Sequence, residues 1–329
     1  MKLILVVFGV LGGLLFTLLL IHYGIGEIGG LLVTAGWGLV GISAFHLVPM
    51  VADTLSWWKL LPADHRLPLR QLLWMRWIGE SVNNLLPAAQ VGGDLVRARL
   101  AALKGVPLSI SAAAVIVDLT AGVFTQAVFT LMGLALLIAV TGVSSVMGPI
   151  LLGTFLAVAL VAGFYAVQNI GIFRILRVII MRLAQSPHWK SLVQGGESFD
   201  REVQNTYRRR GDVIASCIWT LVAWCVGVGE IWLGLLVLGQ PANFAEAFIL
   251  ESLGQAVRGA TFIVPAALGF QEGGFIIIGA MLGMPPDIAL ALSLVRRCRD
   301  FALGIPGLVT WQMIEGRRFW GRKVKKLKS

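Results

Sequence analysis

The sequence predicts an all-α polytopic membrane protein. About six full spans and two re-entrant helical hairpins form a single transmembrane domain over 1–329, arranged as an inverted repeat. Three observations carry this. First, the 329 residues are 57% hydrophobic and 13% charged, with mean hydropathy +0.84, whereas a soluble domain carries about 25% charged residues. Second, lysine and arginine gather in alternate loops and the tail, so the net charge of +10 points to an anionic lipid surface and not to nucleic acid. Third, "PAAQVGGD" from Pro87 is echoed 178 residues later by "PAALGFQE" from Pro265.

In chain order, 3–22 reads as a first span. Its apolar run is long enough to cross a bilayer, and no A-x-A-type site follows that would favour the competing reading, a cleaved signal peptide. A second span covers 31–57, and Lys59, Arg66 and Arg70 mark the next loop. The stretch 71–104 is apolar but broken by Pro87 and the Gly92–Gly93 pair. It is too long for one helix and short for two, which suggests a re-entrant hairpin. Backbone breaks at membrane depth are tolerated only where protein or a water-filled cavity covers them. Spans at 108–140 and 147–168 follow, then a basic amphipathic linker, 169–210, read as lying on the cytoplasmic face. The second half has a span at 212–239, a second broken stretch at 243–284 containing Pro265, Gly269 and Gly273, a span at 286–313, and a basic tail, 314–329. The charge bias places both termini in the cytoplasm.

The repeat relates halves 1–140 and 147–313. The same offset pairs Asp94 with Glu272, Gly105 with Gly283 and Pro107 with Pro285, and it matches Ala102, Ile110, Ala113 and Val117 with identical residues. Such halves, built around broken helices, are a transporter pattern, with the site where the repeats meet.

Ionisable groups inside spans point to function by default. The hairpins offer Glu80, Asn83, Asn84, Gln90, Asp94 and Arg97 in the first half, and Glu251, Gln255, Arg258, Gln271 and Glu272 in the second. Two spans add Asp118 and the cluster Arg296, Arg297, Arg299 and Asp300. Substrate contact is expected at Glu80, Asn83, Asn84, Gln90, Asp94, Arg97, Asp118, Arg258, Glu272 and Arg296. Pro87, Gly92, Gly93, Pro265, Gly269 and Gly273 are expected to shape the hairpins. Asp94 and Glu272 also suit helix N-terminal caps. The buried arginines suit phosphate or carboxylate ligands, or internal pairs such as Arg258 with Glu251 and Asp118 with Arg296.

The stretches "NNLLPAAQVGGDLVRA", "VDLTAGVF", "VPAALGFQEGGFIIIGAMLGM" and "SLVRRCRD" resemble the lysylphosphatidylglycerol synthase transmembrane family, also described as flippase-like, over essentially the whole chain. Within it, the chain is similar to membrane proteins associated with hopanoid biosynthesis. The resemblance carries the family's polar hairpin positions onto Asn84, Pro87, Gly93, Asp94 and Arg97, and onto Pro265, Gly269, Glu272, Gly273 and Arg296. The family often has an acidic residue followed by arginine in the first-half span; here Leu119 follows Asp118. With only a short basic tail and no aminoacyl-transferase domain, the resemblance implies lipid handling, not lipid aminoacylation.

The expected function is therefore a lipid translocator of the bacterial inner membrane, moving a polar-headed lipid, a hopanoid or an anionic lipid, between leaflets. No cofactor or metal is expected: there is no G-x-x-x-x-G-K-[ST] motif, and His22, His46, His65 and His188 lack metal-ligand spacing. The three cysteines, lying in or beside apolar segments, suggest no disulfide. The alternatives are a lipid-modifying membrane enzyme and a non-transporting partner of lipid-biosynthesis enzymes.

Overall fold

The computed structural model describes residues 2–86, 92–142, 187–241, 243–261 and 264–328. Among them the regular structure is helical: α1 (Lys2–Tyr23), α2 (Ile25–Ala35), α3 (Gly38–Phe45), α4 (Leu47–Leu60), α5 (Leu69–Leu85), α6 (Gly92–Ala102), α7 (Leu108–Thr141), α8 (Pro187–Arg208), α9 (Arg210–Val237), α10 (Phe244–Ala260), α11 (Phe270–Met281) and α12 (Pro286–Lys328). Prolines set several starts, where their missing N–H costs nothing. Pro68 precedes α5, Pro107 precedes α7, and Pro286 opens α12. Asn243 caps α10, its side-chain oxygen accepting from Ala245 N at 3.0 Å.

Among the described residues three helices are long and apolar enough to cross a membrane: Gly38–Leu60, which joins α3 and α4, then Leu108–Thr141 and Arg210–Val237. The expected span 147–168 lies outside the described residues, as do the 169–186 part of the linker, Pro87 and Gln90. The other expected spans are helical but less regular than expected. The 31–57 segment is not one helix: α2 stops at Ala35, and a turn at Gly36–Trp37 precedes α3. The 286–313 segment lies within α12, which runs on to Lys328. Its cluster Arg296, Arg297, Arg299 and Asp300 makes it too charged to qualify by composition.

The broken stretches are helix–break–helix units, α5 with α6 and α10 with α11. The second arms hold 11 and 12 residues. At 1.5 Å per residue they reach about 16–18 Å, roughly half of a bilayer's hydrocarbon core. The element pattern repeats with the offset seen in sequence: α12 starts 178 residues after α7 (286 against 108). Gly105 (φ 100°) and Gly283 (φ 74°) occupy matching left-handed turns, which glycine enters without penalty.

Packing follows the same pattern. α4 lies against α9. α5 contacts α6, α4 and, across the molecule, α12; α10 contacts α11, α9 and, across the molecule, α7. Both crossings are close. A Cβ on Gly307 of α12 would sit 2.0 Å from the Ser81 hydroxyl of α5, and one on Gly133 of α7 would sit 1.7 Å from that of Ser252 on α10. Small residues let helix backbones approach in this way.

One apolar core gathers Trp57, Leu60, Leu72, Met75, Ile78, Leu100 and Val117; the other gathers Phe129, Leu137, Leu235, Phe248, Ile249, Phe275 and Leu292. Stripes such as Phe301, Ile305, Val309 and Met313 on α12, and Ile214 and Ile218 on α9, stay exposed. That is the surface of a protein whose solvent is lipid.

Candidate functional site

Arg76, Glu80, Asn83 and Asn84 lie at i, i+4, i+7 and i+8 on α5, hence on one side of it. That side borders a cavity of about 240 Å³. The α3–α4 unit brings His46 and Asp53 to the cavity, and α6 brings Asp94 and Arg97. From the second half, α9 contributes Glu230, α10 contributes Glu251, Gln255 and Arg258, and α12 contributes Arg296 and Arg299. The cavity therefore lies where the two matching helix sets meet.

Its charges are tied into three groups. In the first, Arg97 donates to Asp94 Oδ1 (Nη2, 2.5 Å) and to Asp118 Oδ2 (Nη1, 2.9 Å). Arg76 also donates to Asp118, at 3.2 Å, and its other terminal nitrogen is 3.3 Å from Asp53. In the second, Arg296 grips Glu251 with both terminal nitrogens, at 2.5 and 2.9 Å, while Gln255 donates to the same carboxylate at 2.8 Å. In the third, Arg299 donates to Glu230 and, at 2.6 Å, to Asp300. His46 joins this group to α5: its Nδ1 is 2.6 Å from Glu230 and its Nε2 is 2.7 Å from Glu80. Buried charges survive only in such company, because an isolated one would cost several kcal/mol in desolvation.

Arg258 differs. It donates one hydrogen bond, from Nη2 to Asn84 Oδ1 at 2.7 Å, and its nearest carboxylate, on Asp300, is 3.6 Å away. A guanidinium has five N–H donors. Most of those on Arg258 lack a protein acceptor among the described residues, and the group borders the cavity. A planar donor fork free to meet a phosphate or carboxylate is therefore built into one wall.

The structure brings Glu80, Asn83, Asn84, Asp94, Arg97, Arg258 and Arg296 together around the cavity. Asp118 stands behind them and holds Arg76 and Arg97. Glu272 is elsewhere. It is fully buried, accepts from Gly269 N at 2.8 Å, and forms an ion pair with Arg297. Its geometry is that of a cap with a buried counter-ion. Two suggested pairings are corrected: Arg258 faces Asn84 and Asp300, not Glu251, and Asp118 binds Arg97 and Arg76, not Arg296. Among the glycines, Gly92 lies in α6. Gly93 serves close packing and not a tight turn, since a Cβ there would come 1.8 Å from the carbonyl oxygen of Gly79. Pro265 begins a short 3-10 turn, Gly269 (φ 76°) precedes α11, and Gly273 sits within α11 in open space.

A family model described as the lysylphosphatidylglycerol synthase TM region matches residues 3–307. The chain belongs to this family. Among curated proteins it is similar to a UPF0104 membrane protein of Methanocaldococcus jannaschii, 23% identical over 274 residues, which cover 80% of each chain. No solved structure matches it. The family match takes in both hairpins and every charged group described above.

Sequence reasoning missed His46, Asp53, Arg76 and Glu230. Each had a signal. Glu230 is the one carboxylate in the apolar run "VAWCVGVGEIWLGLLV", and His46 stands in "GISAFHLVPM". The rule that flagged Asp118 applies to them equally. Histidine spacing speaks only to metal ligation, whereas the partners of His46 lie 34 and 184 residues away.

Proposed function

We propose that this membrane protein is a translocator that moves a polar-headed lipid between leaflets. The observation that carries this is the cavity between the two helix sets, lined by charged side chains, with Arg258 left open to it. A headgroup phosphate or carboxylate would meet the Arg258 fork, while the remaining arginines stay clamped by carboxylates. An apolar groove of about 460 Å³, lined by Leu86, Leu308, Val309 and Met313 with Gln312, adjoins the same end of α5, two residues beyond Asn84. It would take an acyl or hopanoid tail. The head site and tail groove are thus arranged along the α5–α12 seam.

The repeated element order and matching cross-contacts support an inverted repeat, with the hairpins opening to opposite sides and the halves rocking about the cavity. The proposed setting is a bacterial inner membrane with both termini in the cytoplasm, beside enzymes of lipid biosynthesis. Hopanoids are the proposed neutral substrates and anionic phospholipids the charged ones.

Purified protein in liposomes tests the activity. It should speed leaflet exchange of at least one lipid class over protein-free vesicles, with mass spectrometry showing the lipid unchanged. No acceleration for any class, or a modified lipid, would overturn translocation. Single cysteines at positions 104 and 284, in a background lacking Cys217, Cys225 and Cys298, test the topology. Labelling of both from the same side would refute the inverted repeat.

A further inference from the structure

We infer that His46, with Glu80 and Glu230, is a proton-binding site that couples proton movement to rearrangement of the two halves, an inference resting on the translocator reading. The two carboxylates approach both ring nitrogens, at 2.7 Å on Nε2 and 2.6 Å on Nδ1. A neutral imidazole has one N–H; its other nitrogen offers a lone pair and would repel a carboxylate oxygen. Carboxylate oxygens at both nitrogens therefore suit a ring that takes up a second proton, one more than neutral histidine with two ionised carboxylates holds. Charge balance points the same way. The arginines named around the cavity, Arg76, Arg97, Arg258, Arg296 and Arg299, are outnumbered by the carboxylates bound to or beside them, so an added proton reduces an excess of negative charge.

The geometry also provides for the proton's departure. Arg299 Nη1 lies 2.9 Å from His46 Nδ1 as well as on Glu230. When the Nδ1 proton leaves, the bare nitrogen can accept the Arg299 N–H, and Glu230 loses its bond to the ring. Glu230 is on α9 and His46 joins α3 to α4. Proton loss thus exchanges a tie from His46 to α9 for one to α12, moving the first half's contact from one helix of the second half to another. The charged groups facing the ring come from every neighbouring element that matters: Glu80 from α5, Glu230 from α9, Arg299 from α12, with Asp300 behind it.

His46 and Glu80 also separate two spaces. One is the main cavity. The other is a cavity of about 10 Å³, about the size of one water, between α5 and α12 near Trp77, Leu303 and Gly304. The Nδ1 proton can exchange through the main cavity, and the small one leaves room for a single water beside the Nε2–Glu80 bond.

Nitrogen NMR of ¹⁵N-histidine-labelled full-length protein, with His22, His65 and His188 replaced by glutamine, reads the site directly. At neutral pH the His46 ring should show two N–H nitrogens, and Glu230→Gln should convert it to one N–H and one bare nitrogen. A singly protonated ring in the otherwise native protein would overturn the inference. Leaflet exchange is then measured with and without an imposed pH gradient. The wild type should respond to the direction of the gradient, and His46→Gln, which cannot carry the proton, should exchange equally under both. Gradient-independent exchange by the wild type would also overturn coupling. If the wild type exchanges no lipid at all, translocation fails, while the NMR result still decides whether the proton is there.

Discussion

Replacing Glu251 by leucine should be among the most destabilising single changes in the protein. Glu251 and Arg296 are both buried, and the carboxylate accepts the whole terminal fork of the guanidinium, at 2.5 and 2.9 Å. Of the three other N–H donors on Arg296, the one on Nε is buried without a partner among the described residues, so no second protein acceptor is in place to take over the fork when the carboxylate goes. Two charge-assisted hydrogen bonds at about 1.5–3 kcal/mol each give the same scale as the roughly 3–5 kcal/mol measured when one member of a buried pair is removed. Glu251→Leu with Arg296→Met removes both charges and should recover at least half of that loss, because a buried pair costs desolvation that apolar residues avoid. Reversible unfolding in mixed micelles, run as a double-mutant cycle, measures both quantities. A single-mutant cost below about 1 kcal/mol, the level of an exposed pair, would show that water reaches Arg296 freely. A double mutant as damaged as the sum of its parts would show no coupling.

Further outcomes follow from the same geometry. Arg258→Lys keeps the charge but loses the fork, and should weaken binding of an anionic lipid in detergent by about tenfold, the equivalent of one charged hydrogen bond; Arg296→Lys should lower stability more than binding. Gly93→Ala must push α6 from α5 by roughly 1.5 Å to restore ordinary contact with Gly79, and should cost about 1–3 kcal/mol in the same unfolding assay. Gly273→Ala, in open space within α11, should be neutral or stabilise by up to about 1 kcal/mol. Glu272→Gln should lower stability through the lost Arg297 pair yet leave lipid binding intact, and a selective loss of binding would return Glu272 to the site.

Much of the architecture could be read from the chain because a few residues constrain backbone whatever surrounds them. Pro107 and Pro285 precede helix starts, and Gly105 and Gly283 take left-handed turns, in both halves at one spacing. The breaks near Pro87 and Pro265 likewise separate helices too short to span alone. Less of the site was legible. Periodicity places Arg76, Glu80 and Asn84 on one face of α5, but says nothing of what stands opposite. His46 meets Glu230 only because α4 packs against α9, a contact between distant segments. Arg258 and Arg296 looked equivalent as buried arginines. Only the fold shows that one is held by Glu251 and the other faces open space. The break at Gly36 was hidden because hydropathy averages over a window and does not register a two-residue turn in an apolar run.

The crossing of α5 with α12 carries a consequence for how the protein is made. The polar side of α5 enters the membrane early in synthesis, with Arg76, Glu80 and Asn84 on it. Asp53, Asp94 and Asp118 arrive within the same half, but Arg299 and Asp300 are supplied by the last helix. Until α12 is inserted, nearly the whole chain must be held in lipid with part of its charge network open. A ribosome that stalls before residue 286 would leave a product whose first half is complete in sequence and incomplete in structure. Such a product would hold Glu230 and Arg258 in lipid without the Arg299 and Asp300 that meet them in the finished fold.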